Sequence, residues 1–290
     1  MKVTCEIGVF DDDVGEECFA ELAKLSPESM HPGEVYPFLL QTSADDPLVP
    51  RVLEVLQAHG MKLPPNPTLA GSPGFIALTY QREFEAADCA GADYLQITGS
   101  GATVLVRGLM LKRTGVGAAG TPPAPGGTYL IDTAELDRRR AVAARDQVVV
   151  LDEVKGLFER ESFQGLEFRR GEPVSDPEGY CADGTFPIWE LHTEVTLPPL
   201  SPECALLEFA HPENPGQLCR VVSDGLFAPP QLRYRAVDMR AIEPFDVART
   251  RDGLNWGRCD HPLVVSQRFY QFCRKLKFEF GWIPVRIAAG

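Results

Sequence analysis

The sequence lacks the short motifs that identify most enzyme and metal-binding families. None of its eight cysteines forms a C-x-x-C pair, and its five histidines show neither H-x-x-x-H nor H-E-x-x-H spacing. Such pairs hold zinc in many proteins, so the spacing indicates no metal site. No motif indicates another cofactor, and we expect none. The chain also has no G-x-S-x-G elbow, phosphate-binding loop or kinase signature. The sequence therefore assigns no catalytic residue, although residues that converge only in the folded chain escape such a search.

Long apolar runs are missing as well. Across 290 residues, no window approaches the roughly 18 apolar residues of a membrane span. The first residues, MKVTCEIGVFDDD, lack the basic region and apolar core of a secretory signal. Scattered cysteines in a chain of this size are typical of reduced thiols in the cytoplasm. We therefore expect a cytoplasmic protein that does not enter the membrane.

Basic residues are scarce, at 28 against 41 acidic ones, which gives a formal net charge of −13. The excess lies in residues 1–60, with 12 acidic and 3 basic side chains, and in residues 151–230, with 15 and 5. Acidic surface repels nucleic acid and attracts a basic protein partner, although solubility alone is the other interpretation. The candidate partner-binding residues are Glu16, Glu17, Glu21, Glu28, Asp176, Glu178, Asp183 and His261.

Hydrophobic periodicity predicts an α+β chain with mixed or antiparallel strands. Residues 16–25 show helical spacing, and Asp12 or Asp13 can cap this helix. The clearest helix lies between a predicted N-cap, Asp46, and a predicted stop, Gly60. Several short strand patterns follow it.

Two strand-helix-strand patterns indicate an internal repeat. They occupy residues 148–174 and 263–285, and their helices have Asp152 and Ser266 as predicted N-caps. If the match is real, the chain has two loosely repeated halves, each closed by such a unit; chance similarity is the alternative, because these units are common.

The predicted domains are residues 1–175 and 176–290. The first contains residues 114–127, where Gly, Pro and Ala fill eleven of fourteen positions. Such a segment cannot bury enough surface to offset its ordering entropy, so it is predicted to be a mobile loop.

Two histidines are candidates for chemistry. The adjacent Cys259, Asp260 and His261 project to alternate faces of an extended segment, which favours a loop leading into a strand and a capped helix. His192 lies on a predicted strand with Trp189 but on the opposite face, so we expect it to be exposed or at a sheet edge. An enzyme that uses His261 or His192 with a nearby carboxylate is one hypothesis for the function.

The C-terminal segment carries a family resemblance. It contains a D-x-x-R element, a V-S-x-R-F helix start and a closing aromatic strand, formed by Asp246 with Arg249, by residues 265–269, and by Trp282 with Pro284 and Val285. Together with the YLIDTAELDRRRA segment, these elements resemble bacterial immunity-type proteins of polymorphic toxin systems, over much of residues 128–287.

The resemblance implies a non-catalytic protein that neutralises a toxin, which we expect to act by occlusion and to bind a basic toxin domain as its partner. The best-known branch of that group carries two CxxCG motifs, which this chain lacks, so no zinc is implied. An interaction protein with no toxin as its target fits the same residues, and the oligomeric state stays open.

Overall fold

The chain is an α+β protein, as predicted. The computed structural model describes residues 1–10, 12–64, 70–98, 112–114, 128–130, 139–144, 147–174, 187–210, 218–223, 226–228, 230–253 and 261–288. The described α-helices are α1 (Glu16–Leu25), α2 (Leu48–Ala58), α3 (Ala86–Ala90), α4 (Asp152–Glu161), α5 (Ala236–Arg240) and α6 (Gln267–Lys275). The described strands are β1 (Lys2–Val9), β2 (Phe38–Ser43), β3 (Ala77–Glu83), β4 (Tyr94–Thr98), β5 (Lys112–Thr114), β6 (Thr128–Leu130), β7 (Ala141–Ala144), β8 (Gln147–Leu151), β9 (Glu167–Val174), β10 (Ile188–His192), β11 (Ala205–Ala210), β12 (Leu218–Ser223), β13 (Phe227–Ala228), β14 (Arg233–Arg235), β15 (Val247–Arg249), β16 (Leu263–Ser266), β17 (Gly281–Pro284) and β18 (Arg286–Ala288).

The chain divides into two compact units that alternate along the sequence. Unit 1 is Met1–Asp88 with Pro202–Gln231, and unit 2 is Cys89–Ser201 with Leu232–Gly290. The predicted boundary between residues 175 and 176 lies outside the described residues, as does most of the predicted loop 114–127. Both stay predictions.

Unit 1 is built on a four-stranded sheet in the order β13-β3-β1-β2. The central strand β1 pairs antiparallel with both β2 and β3, and its alternate side chains Cys5, Ile7 and Val9 are fully buried. Helices α1 and α2 contribute Leu22 and Leu56 to the same core cluster. The alternating pattern of β1 thus places one of its faces in the core.

The two helices of unit 1 begin in different ways. The N-cap of α2 is Pro47, one residue after the predicted cap Asp46, whose Oδ1 nevertheless accepts the Leu48 N–H at 2.8 Å. Gly60, the predicted stop, follows the helix with a φ of +89°. The predicted capping of α1 by Asp12 or Asp13 is wrong. Gly15 is the N-cap there, and no side chain completes the cap.

Unit 2 contains a six-stranded sheet in the order β5-β6-β9-β10-β8-β7 and a four-stranded sheet in the order β15-β16-β4-β17. Both predicted strand-helix-strand units are present in it, as β8-α4-β9 and β16-α6-β17. In each, one antiparallel strand separates the two flanking strands, β10 in the first and β4 in the second. The arrangement of the whole chain as two repeated halves stays a prediction.

Aromatic rings join the helices α4 and α6 of the two strand-helix-strand segments, both of which belong to unit 2. Phe158 of α4 is fully buried and stacks on Phe269 of α6, with ring centroids 5.1 Å apart. It also contacts the rings of Phe163, Phe168, Phe272 and Phe278. This aromatic cluster forms a large part of the unit 2 core.

Asp246 ties several segments of unit 2 together. It is 7% exposed, and its carboxylate accepts the Ser266 hydroxyl at 2.6 Å, Arg268 Nη1 at 2.9 Å and the Gln164 N–H at 3.0 Å. Ser266 also caps α6 as predicted, because its Oγ accepts the Phe269 N–H at 3.2 Å. The same hydroxyl therefore serves the helix start and the carboxylate.

Among the residues that the structure describes, no helix is both long enough and apolar enough to cross a membrane.

Candidate functional site

Helix α1 presents part of the predicted acidic surface. Glu16, Glu17 and Glu21 are exposed, whereas Cys18 and Leu22 on the other side of the helix are fully buried. The first two carboxylates occupy the first turn, where the helix dipole favours negative charge. The buried face anchors the helix in the core and leaves the carboxylates directed at solvent.

Two of the predicted acidic residues have close neighbours. Glu21 Oε1 lies 3.6 Å from His59 Nε2, and the exposed Glu28 accepts the Ser26 hydroxyl at 2.7 Å. Glu28's own backbone N–H, followed by the Ser26 hydroxyl, lowers the pKa of the Glu28 carboxyl. Glu28 therefore keeps its negative charge across the neutral range.

The net charge divides sharply between the two units. Unit 1 contains 19 acidic and 6 basic residues, which gives −13, whereas unit 2 contains 22 of each. The whole net charge of the chain therefore belongs to unit 1. The predicted acidic residues Asp176, Glu178 and Asp183 fall outside the described part of the chain.

His261 is part of the lead into a strand and a capped helix, as predicted. It is partly buried, and its Nδ1 lies 3.1 Å from the backbone oxygen of Thr250. A carbonyl oxygen only accepts, so Nδ1 donates and carries the proton. The neighbouring Cys259 and Asp260 lie outside the described residues.

His192 is buried, so the prediction that it is exposed or at a sheet edge is wrong. Only 4% of the residue is exposed, and β10 is an inner strand of the six-stranded sheet, between β8 and β9. Across the antiparallel β9–β10 pair, His192 faces Glu167, and its Nε2 lies 2.7 Å from Glu194 Oε1. We refer to Glu167, His192 and Glu194 as the His192 cluster; one ligand atom from each lies within 4.8 Å of the other two.

The short segment that follows β10 places Glu194, two residues after His192, beside the imidazole. The Thr193 hydroxyl donates to the Val247 carbonyl and accepts the Val195 N–H, both at 3.1 Å, and so fixes the backbone around Glu194. Gly165 lies against the same carbonyl with a φ of +80°, where a Cβ atom would come within 2.5 Å of the oxygen. This close approach requires glycine just before β9 begins.

Two arginines border the His192 cluster. Arg169 Nη2 lies 2.9 Å from Glu194 Oε1, and Arg249 Nη2 lies 3.5 Å from His192 Nδ1. A guanidinium only donates, so Nδ1 is the acceptor and Nε2 donates its proton to Glu194. The hydrogen bond from His192, followed by the positive charges of Arg169 and Arg249, lowers the pKa of the Glu194 carboxyl.

A groove of about 460 Å³ adjoins Glu167. Its lining residues are Lys155, Phe158, Glu159, Ser162, Phe163, Leu166, Glu167 and Phe168. Lys155 Nζ is held 2.5 Å from Glu159 Oε1 and 4.6 Å from the centroid of the Trp189 ring. Phenylalanine rings and charged side chains therefore line the groove together.

Sequence reasoning singled out His192 but missed the residues around it. Glu167 and Arg169 belong to β9, and Arg249 belongs to β15. The backbone N–H of Arg249 donates to the Val195 carbonyl at 2.9 Å, which holds β15 beside the cluster. The H-x-E spacing of His192 and Glu194 at the end of a strand was the available local signal. The other three residues are brought in by strand pairing.

The function of this chain has to be inferred from its own residues. No protein-family model matches the sequence, and the searches of curated proteins and of solved structures found no match.

Proposed function

We propose that this chain is a non-catalytic binding protein whose acidic unit 1 recruits a basic protein partner. The observation that carries the proposal is the division of charge, with the full −13 in unit 1 and a neutral unit 2. A negative electrostatic field that is concentrated on one compact unit attracts the basic surface of a partner protein and raises the rate at which the two proteins associate. A requirement for solubility alone gives no reason for one unit to carry the entire excess.

Helix α1 supplies a surface suited to this role. Three of its carboxylates are exposed on a helix whose opposite face is fixed in the core, so their positions are set before a partner arrives. Preorganised charge reduces the ordering cost of binding. Lys and Arg side chains of the partner would pair with Glu16, Glu17 and Glu21.

The finer proposal is an immunity-like protein that neutralises a toxin by occlusion. The resemblance of residues 128–287 to bacterial immunity-type proteins leads to it, and an acidic unit fits a basic toxin domain. For a toxin that acts on nucleic acid, the carboxylates of unit 1 would occupy the surface that binds phosphates.

Capture of the partner tests the proposal. Tagged protein is incubated with extract of its native cells at low salt, and bound proteins are eluted with rising salt. We expect one stoichiometric basic protein to elute at moderate salt. For the immunity proposal, expression of that protein alone should arrest growth, and co-expression with this chain should restore it.

A matched pair of variants then locates the surface. The triple variant Glu16→Gln, Glu17→Gln, Glu21→Gln should lower the association rate constant with the captured partner about tenfold. A control in unit 2, Asp93→Asn, Glu153→Gln, Glu243→Gln, removes three exposed carboxylates and should leave the rate unchanged. An acidic partner, or binding that ignores salt, would contradict the proposal.

An enzyme that uses His192 with a carboxylate is the second candidate, and the 2.7 Å contact between His192 and Glu194 favours it. Against it, both ring nitrogens are already engaged, and a general base needs one nitrogen that faces its substrate. If the partner captured above is bound equally well by His192→Gln, the dyad is not needed for binding. An activity found in a substrate screen and lost in His192→Gln would favour the enzyme.

A further inference from the structure

The His192 cluster gathers one imidazole and two carboxylates on neighbouring strands. Cross-strand pairing sets Glu167 opposite His192, and the segment held by the Thr193 hydroxyl places Glu194 beside the same imidazole. The imidazole is buried, whereas both carboxylates reach solvent, so an ion can enter from outside. No ion pair of Glu167 is found in the part of the chain that the structure describes.

We infer that Glu167, His192 and Glu194 form a binding site for a divalent transition-metal ion of the Zn²⁺ type. One nitrogen and two oxygen donors suit Zn²⁺ and Co²⁺, whereas Ca²⁺ and Mg²⁺ prefer oxygen alone. Three protein ligands leave the fourth position of a tetrahedral ion to water. Ligand atoms about 2.1 Å from a tetrahedral ion lie roughly 3.4 Å from one another. The separations of up to 4.8 Å between the ligand atoms here therefore have to shorten, through movement of the two exposed glutamate side chains, when the ion binds.

The two arginines define the resting state of the site without metal. Nε2 of His192 holds a proton against Glu194, and metal binding at Nε2 moves that proton to Nδ1, which faces Arg249. The cost is limited because the Arg249 contact is long, at 3.5 Å, and Arg249 Nε is buried without a hydrogen-bond partner. The guanidinium therefore loses only a weak hydrogen bond if it turns from the ring.

Titration with cobalt tests the site in the untagged chain of 290 residues. Purified protein is titrated with Co²⁺, and binding is followed by visible d–d absorption and by calorimetry, with Zn²⁺ as competitor. We expect one equivalent of Co²⁺ to bind, with the spectrum of nitrogen and oxygen ligands. Glu167→Gln and Glu194→Gln, both at exposed positions, should each weaken binding by about tenfold or more.

Controls exclude other origins of the signal. Glu153→Gln removes an exposed carboxylate elsewhere in unit 2 and should bind Co²⁺ as the wild type does. His192→Gln should abolish binding, and circular dichroism checks its fold. The inference is overturned if Co²⁺ binds no tighter than millimolar, or if the spectrum shows thiolate ligands and persists in Glu167→Gln and Glu194→Gln.

Removal of an arginine sharpens the assignment of the ligand atoms. In Arg249→Gln, the amide oxygen can accept the proton on Nδ1, so Co²⁺ should bind more tightly than in the wild type. In Arg169→Gln, Glu194 loses a competing cation and affinity should rise as well. Weaker binding in both variants would overturn the assignment of Nε2 and Glu194 as ligands.

Discussion

The two units use the same kinds of elements but differ in charge and in core. Unit 1 carries the entire net charge. Its core is mainly aliphatic, and Phe38 is the one aromatic residue in the buried cluster of the described part of this unit. Unit 2 is neutral overall, and its core includes a cluster of aromatic rings in contact with the fully buried Phe158. The difference shows that the negative charge is confined to one compact unit and is not spread evenly along the chain. The acidic excess and the aromatic cluster therefore belong to different units.

The contrast between the cores predicts the largest effect. Phe158→Ala should lower the free energy of unfolding by about 4 kcal/mol, because one ring contacts five others and the cavity cannot collapse easily. Leu22→Ala in unit 1 should cost about 3 kcal/mol. Urea unfolding measures both values. Hydrogen exchange should show the loss in unit 2 for Phe158→Ala and in unit 1 for Leu22→Ala; equal loss in both units would break the comparison.

Asp246 supplies the next effect, which is again specific to unit 2. Asp246→Asn removes the charge that holds Arg268 and weakens two further hydrogen bonds, so we expect a loss of about 2 kcal/mol in the free energy of unfolding. The control is Asp238→Asn, which breaks an exposed pair with Arg235 and should cost about 0.5 kcal/mol or less. The urea midpoint should shift at constant m value. Equal shifts in the two variants would contradict this role.

Acid sensitivity tests unit 1. Hydrogen bonds from the Thr42 hydroxyl and then from the Leu48 N–H lower the pKa of Asp46 below its ordinary value of 3.8. A depressed folded-state pKa stabilises the fold at every pH above 3.8, and this contribution disappears as the pH falls through the folded-state value. Carboxyl NMR should give an Asp46 midpoint below 3.8. In Thr42→Val, that midpoint should rise, and an unchanged midpoint would show that Thr42 is not the cause.

Thiol reactivity gives the smallest effect. It concerns a property that the two units share, which is the presence of buried cysteines with a raised pKa. Burial raises the pKa of Cys5 and of Cys18 in unit 1 to about 11, and that of Cys273 in unit 2 well above its usual value. At pH 8, the thiolate fraction of the first two should be roughly 100-fold below that of an exposed thiol. Iodoacetamide labelling read by mass spectrometry should leave all three unmodified until denaturant is added. Rapid labelling of Cys5 or Cys18 in the native protein would show that unit 1 opens locally.

Local signals predicted much of the fold. Ser266 was predicted as a cap and is one, because its partner, the Phe269 N–H, is three residues away. Asp152 was predicted to cap α4 and does not; it lies inside the helix, and its carboxylate accepts Trp189 Nε1 at 2.8 Å. That partner is 37 residues distant, so no local pattern reveals it.

The candidate metal site was beyond the reach of sequence for the same reason. His192 was predicted to be exposed or at a sheet edge because it lies on the face of its strand opposite to Trp189, but a strand pattern does not say what covers each face or which strands flank it. Glu167 joins it through the register of β9 against β10, which depends on the whole sheet. Only Glu194, two residues away, could have been linked to His192 from the sequence.

The alternation of the two units along the chain has a consequence for synthesis. Strand β3 of unit 1 pairs with β13, and β4 of unit 2 pairs with β16 and β17 near the end of the sequence. Unit 1 therefore lacks its fourth strand until β13 has been synthesised, and β4 keeps both of its edges unpaired until β16 and β17 have been synthesised. Exposed strand edges promote aggregation, so chains truncated after residue 260 should be insoluble rather than partly active.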